Sequence, residues 1–386
     1  MERKVELECI RRFLAHLRDG TTDLAPAPLR LPVSHYIDPE HLERERRHVF
    51  RGAPKLIALS GDLRERGSYL PLDVAGVPIL LMRHDDDRVR AFVNGCRHRG
   101  SPIASEPGCA KGGHLQCPFH AWTYSTDGHL ARIPMAAEAF RSLEPDRLGL
   151  HERPCLESEG LIFVRAEGDA AIGENEALAG IRDDMRALGL GTYHAFQTRT
   201  ARWRCNWKLV LDTFLESYHV FSLHRETVHP WYFSLPMVYD GWGSNIRFPV
   251  ARRTLAELEG EPEESWRLAD HATVQWLVGS NSLISHTRDY LLLWHFTSPE
   301  PGLCDVRTTF YSSTPVGTPE ERERLDKAFD LQLRVTGAED FPMQEEIQSV
   351  IASGAIPELV YGANEVATIH FHRALQEIID AGEARR

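Results

Sequence analysis

The chain has 386 residues, 42% apolar and 26% charged, which is too long for one small core and ordinary for a globular protein of two domains. A net charge of −12 with no dominant Lys/Arg block argues against a nucleic-acid backbone as partner. No stretch approaches the ~20 apolar residues of a membrane span. The seven cysteines, an odd number scattered along the chain, read as reduced thiols plus a metal site rather than a disulfide framework.

Residues 1–20 lack the apolar run of a signal peptide, and none follows Arg11-Arg12, so a cytoplasmic location is expected. Val5, Ile10, Phe13, Leu14 and Leu17 recur at helical spacing over residues 2–18. A Pro-punctuated connector runs from Ala25 to Pro32. Residues 40–50, rich in Glu and Arg, predict an exposed helix ending in Val49-Phe50. From about 55 to 165, short apolar runs (Lys55–Leu59, Val77–Met82, Val89–Val93, Gly160–Val164) alternate with Gly- and Asp-rich turns, the texture of an all-β module. Residues 172–190 read as helical, and so does 204–228. Tyr290–Thr297 and Asp305–Ser312 form a predicted hairpin around Pro301-Gly302. Two helical runs, about 319–352 and 364–381, close the chain. The expected class is α+β: an all-β domain at 46–165, then a catalytic domain at 166–386 with an antiparallel sheet covered by helices (helix-grip type). A helical segment at 1–45 packs on that second domain.

Two loops of the β module read Cys96-Arg97-His98 and Cys117-Pro118-Phe119-His120, separated by residues 99–116. Two thiolates for one iron and two imidazoles for the other is the donor set of a mixed-ligand [2Fe–2S] cluster. Gly95, Gly100, Gly112 and Gly113 let the backbone bend closely around such a group. Structural zinc and plain core packing are the alternatives, but zinc half-sites usually pair Cys with Cys or His with His. The stretches Asn94–Gly100 and Cys117–Tyr124, with Asp127-Gly128, resemble the Rieske domain of ring-hydroxylating oxygenase large subunits. Respiratory-type Rieske proteins carry an extra Cys in each loop. Ser101 and Phe119 lie near those places here, which favours the oxygenase branch. Cys109, between the loops, reads as a loop or core residue.

In the segment Asn206–His224, Asp212, Glu216 and His219 fall at i, i+4 and i+7, on one face of an otherwise largely apolar helix. The alternative is an amphipathic helix with its polar face in water. His219 and His224 would point about 140° apart on an ideal helix, so both reach one metal only if the helix breaks or widens between them. His224 and His229 share the same spacing. Glu216, three residues before His219, favours the first pair because a carboxylate orients an imidazole.

The segment resembles the mononuclear-iron helix of the same oxygenase family, which implies His219 and His224 as iron ligands. It also implies Glu216 as the carboxylate bridging to His120 of a neighbouring chain in a trimer. Thr213 stands where that family often has Asn. The same resemblance places the third ligand at Asp340, in Glu339-Asp340 ahead of Glu345–Gln348, with Glu345 and Glu339 as fallbacks. His370 and His372 read as packing or surface residues.

Two iron sites of these kinds imply a terminal oxygenase that activates O₂. With no Gly-x-Gly-x-x-Gly fingerprint and no plant-type ferredoxin pattern, electrons are expected from a separate NAD(P)H-dependent reductase, with or without a ferredoxin. The resemblance implies a homotrimer and, from the ring-hydroxylating branch, aromatic hydrocarbon catabolism, although the family also oxidises alkaloids, terpenoids and quaternary amines. Possible pocket residues are Arg202, Arg204, Trp231, Tyr232, Trp242 and Trp294. The rival reading is a Rieske electron carrier or binding protein with an inactive second site.

Overall fold

Continuous apolar runs bounded by turn residues need both faces covered, and the first domain meets that need with small stacked sheets. The computed structural model describes residues 1–288 and 290–385; Asp289, at the edge of the predicted hairpin, and Arg386, the end of the predicted catalytic domain, lie outside the described residues. The chain divides into two compact units. One is Phe50–Ala177 with Leu190–Thr192, and the other is Met1–Val49, Leu178–Gly189 and Tyr193–Arg386.

The first unit has a five-stranded sheet built on Val77–Arg83, flanked by Ser68–Val74 and Val89–Val93. Two three-stranded sheets complete it. Ile57, Ile79, Leu81 and Ile162 form one core. A second core gathers Leu80, Phe92 and Tyr124 around Cys96 and Cys117, so the sheet packing itself brings the two motif loops together.

The second unit carries a seven-stranded antiparallel sheet, with His194–Trp203 at one edge and Asp240–Trp242 at the other. Tyr290–Thr297 pairs over its full length with Asp305–Ser312, as the hairpin reading expected. One sheet face meets the Trp207–Phe214 helix, where Phe214 lies 5.1 Å from the Trp294 ring and 5.7 Å from the Phe296 ring. Trp276 on the opposite face donates to Asp184 of the Arg182–Leu188 helix. The expected architecture holds: an all-β domain ahead of an antiparallel sheet covered by helices. No helix among the described residues is long and apolar enough to cross a membrane.

Four local expectations need correction. Residues 39–51 are helical but not exposed, since Leu42, Glu45, Val49 and Phe50 are buried. Glu45 sits in the interior because Lys208 Nζ lies 2.5 Å away and Trp207 Nε1 donates to it at 2.9 Å. Burial alone would raise this carboxyl, but Lys208 and His41 hold it down at about 2. The predicted 204–228 helix stops at Phe214 and resumes only as a short 3₁₀ turn, Tyr218–Phe221. The connector at 25–32 contains a strand, Leu29–Pro32, paired with Glu358–Tyr361. The 319–352 run is interrupted by a π-helical segment, Thr336–Asp340.

Candidate metal centres

In the first unit both motif loops make the same turn. The Gly100 amide donates to the Cys96 carbonyl at 2.8 Å, and the Ala121 amide donates to the Cys117 carbonyl at 3.1 Å. The closing residues have left-handed φ values of 74° and 58°, easy for Gly100 and unusual for Ala121. The His98 and His120 rings lie 4.6 Å apart, and His98 stacks on Trp122 at 5.0 Å.

Tyr124 packs beneath, its hydroxyl 3.4 Å from Cys96 Sγ and accepting the Arg97 amide at 3.0 Å. Burial pushes the Cys117 thiol up, but the Phe119 and His120 amides aimed at its sulfur outweigh this and leave it below its ordinary value. His98 is lowered by burial and by His120, which favours the neutral imidazole a metal needs. His98 Nδ1 is buried with no hydrogen-bond partner. Two adjacent cysteines and an imidazole nitrogen left without a proton partner fit a mixed Cys/His cluster. Tyr124 belonged to the sequence motif, but its place under the sulfur was not legible there.

In the second unit Asn206 caps its helix by accepting the Lys208 amide, and the helix ends at Phe214. Glu216 then accepts the His219 amide at 3.1 Å, capping the 3₁₀ turn, and also bonds His219 Nδ1. This break between the helix and the turn supplies the geometry that the five-residue spacing demanded. The His219 and His224 rings are 5.1 Å apart. Asp340 joins them from the π-helical segment, a widened turn of the kind that recurs at functional sites.

One ligand atom from each of His219, His224 and Asp340 lies within 4.8 Å of the others. Asp340 is 5% exposed, and its Oδ1 makes no hydrogen bond of acceptable geometry. Even so, His224 Nε2 is 2.8 Å away and His219 Nε2 is 3.6 Å away. Three donor atoms converging on one point are what a metal requires.

Glu339 was a fallback ligand by sequence, but its Oε2 accepts from His224 Nδ1 at 2.5 Å and from Thr227 at 2.8 Å. Each histidine therefore has a carboxylate on Nδ1 and leaves Nε2 for the common point. The other fallback, Glu345, accepts the Arg204 amide. His229 is engaged by Arg253 instead.

Asp212 does not join this set, because the helix ends two residues after it. It turns to Tyr36, Tyr361 and His372. His372 is thus a buried hydrogen-bonding residue, and His370 bonds the Tyr239 hydroxyl. A cavity of about 820 Å³ borders Asp212, Glu216, His219, Tyr361 and Glu365, with apolar walls that include Ile347. Burial raises the Glu365 carboxyl to about 7, and Glu216 and Asp212 add to the rise against the Gly362 amide. Of the possible pocket residues, Trp294 is buried against Phe214, whereas Trp231 is 71% exposed and Arg202 pairs with Asp305.

Comparison with known proteins gives a family description for each domain. Residues 53–145 match the family model "Rieske [2Fe-2S] domain", and residues 190–381 match "Ring hydroxylating alpha subunit (catalytic domain)". The carnitine monooxygenase oxygenase subunit of Escherichia coli (strain K12) is 30% identical over 206 residues, covering 50% of this chain and 52% of that protein. The match thus spans about half the length of that relative. The chloroplastic choline monooxygenase of Beta vulgaris is 23% identical over 356 residues, covering 90% of this chain and 76% of that protein. Among solved structures, a quaternary ammonium Rieske monooxygenase in complex with L-carnitine superposes with a TM-score of 0.74. It shares 17% identity and covers 90% of this chain and 95% of that one, a likeness of fold. The names of these relatives concern quaternary ammonium compounds, so the expectation of aromatic hydrocarbon catabolism finds no support.

Proposed function

The chain belongs to the family of Rieske oxygenase large subunits, and from that premise we propose that it is a terminal oxygenase acting on a small quaternary ammonium compound. The cluster supplies single electrons, and ferrous iron with open positions activates O₂. Cys96, His98, Cys117 and His120 hold the cluster, with the Tyr124 hydroxyl beside one sulfur. His219, His224 and Asp340 would hold the iron, and Glu216 and Glu339 fix the two imidazoles. The observation that carries this reading is the convergence, within 4.8 Å of one another, of one donor atom each from His219, His224 and the buried Asp340.

Substrate class rests on the relatives, whose names concern carnitine and choline. Hydroxylation next to the nitrogen, or loss of a methyl group, would be the outcome.

Glu216, which holds His219, would link that histidine to His120 of another copy in a homotrimer of cytoplasmic chains and so give electrons a path to the iron. Exposed apolar residues around the cavity mouth support a second copy there, among them Val350 (53% exposed) and Val360 (60% exposed). A separate NAD(P)H reductase system, with or without a ferredoxin, recharges the cluster. The test is O₂ uptake with carnitine, glycine betaine and choline, using a generic reductase. Uptake with at least one, abolished by His219→Ala while the cluster spectrum stays, is the expected result. No uptake from protein carrying about two iron atoms per chain would leave only an electron carrier.

A further inference from the structure

Tyr36 and Tyr361 meet inside the second unit with their phenol oxygens 2.5 Å apart. Tyr361 donates to Asp212 Oδ2 at 2.7 Å, and the single proton of Tyr36 is within reach of both that oxygen, at 3.0 Å, and the Tyr361 oxygen. His372 Nε2 holds the other carboxylate oxygen at 2.9 Å. Tyr36 is 1% exposed and Tyr361 is 8% exposed, and the proton acceptor both phenols reach is the Asp212 carboxylate.

Tyr361 and Asp212 border the same cavity as Glu216 and His219. A phenol is oxidised most readily when its proton leaves with its electron, and the Asp212 carboxylate is placed to accept that proton.

From this geometry we infer that Tyr361, with Tyr36 behind it, is a redox-active phenol pair that returns electrons to the iron site when oxygen chemistry there goes unused by substrate. The inference rests on the proposed iron at His219, His224 and Asp340. In the step, the Tyr361 O–H bond breaks. One electron reduces the iron centre, which peroxide or reductively activated O₂ has oxidised. The proton passes to Asp212 Oδ2, and a neutral phenoxyl radical remains. Tyr36 then gives one electron and its proton to that phenoxyl, so the radical moves one ring deeper. A site built this way protects its own ligands from oxidation during uncoupled turnover. That function is separate from substrate oxidation and needs no substrate.

The test uses holoenzyme first shown to hold about three iron atoms per chain, so failure of the iron assignment is seen before the phenols are probed. Excess hydrogen peroxide is added without substrate, and samples are freeze-quenched for EPR. The expected result is a tyrosyl-type signal that is lost in Tyr361→Phe and in iron-free Asp340→Ala. Peptide mapping of the unmodified enzyme after the same treatment covers the case of a misfolded variant. Oxidised products are expected on Tyr361 and Tyr36 in preference to exposed Tyr218. A fully iron-loaded enzyme with no radical, a signal unchanged by Tyr361→Phe, or products on Tyr218 with none on the pair would each overturn the proposal.

Discussion

His224 is gripped from both sides by successive residues: Glu339 on Nδ1 and Asp340 facing Nε2. The two carboxylates therefore do different work. Asp340→Ala is expected to abolish iron binding. Glu339→Ala should leave the donor set intact but loosen ring orientation, weakening iron affinity by about 10–100-fold in a metal-competition titration. Equal losses would contradict the division of roles. Glu365 gives a second prediction, for the metal-free protein. Its carboxyl is raised in the folded state to about 7 from an ordinary 4.5. The stability it contributes is therefore full below about pH 4.5 and is lost as pH rises through about 7. Glu365→Gln removes that dependence. After discounting for solvent screening, the variant should gain on the order of 1 kcal/mol at pH 8 over the parent. Denaturant melts at pH 5 and pH 8 check this, and parallel pH slopes for parent and variant would refute it.

Among the elements, the Asn206-Trp207-Lys208 start of the central helix shows why part of the site was legible and part was not. The Cys-x-His and Cys-x-x-His loops are chemistry written in adjacent residues, and a five-residue His spacing already demanded the helix break seen after Phe214. The partner of Lys208 was not legible, because Glu45 lies far away in a stretch whose charge content reads as a solvated face. Composition cannot tell a solvated carboxylate from one sealed against an ammonium. The role of Asp212 escaped for a related reason: periodicity assumed a helix that continues, whereas the chain leaves the helix two residues later. The strand at Leu29–Pro32 is short and Pro-bounded, so its pairing with Glu358–Tyr361 left no periodic trace. The buried pair also yields a prediction. Lys208→Met strands Glu45 as an uncompensated interior charge, and thermal or denaturant unfolding should show a loss of about 3–5 kcal/mol. A loss below 1 kcal/mol would mean that Glu45 finds water or a proton instead.

At the scale of the whole molecule, the proposal is that one chain's cluster serves another chain's iron. Two dead variants separate the possibilities. His120→Ala chains lack a working cluster, and Asp340→Ala chains lack the iron. If electrons cross between copies, co-expressed mixed oligomers recover O₂ uptake that neither variant shows alone; if electrons stay within a chain, the mixture stays silent. Beneath that question lies the claim that His219, His224 and Asp340 hold an iron of their own, apart from the cluster. Iron analysis of the parent and of Asp340→Ala, read beside the visible spectrum of the cluster, tests it most directly. The account predicts a fall from about three iron atoms per chain to about two with an unchanged cluster spectrum. An unchanged iron content, or loss of the cluster with the lone iron retained, would contradict it.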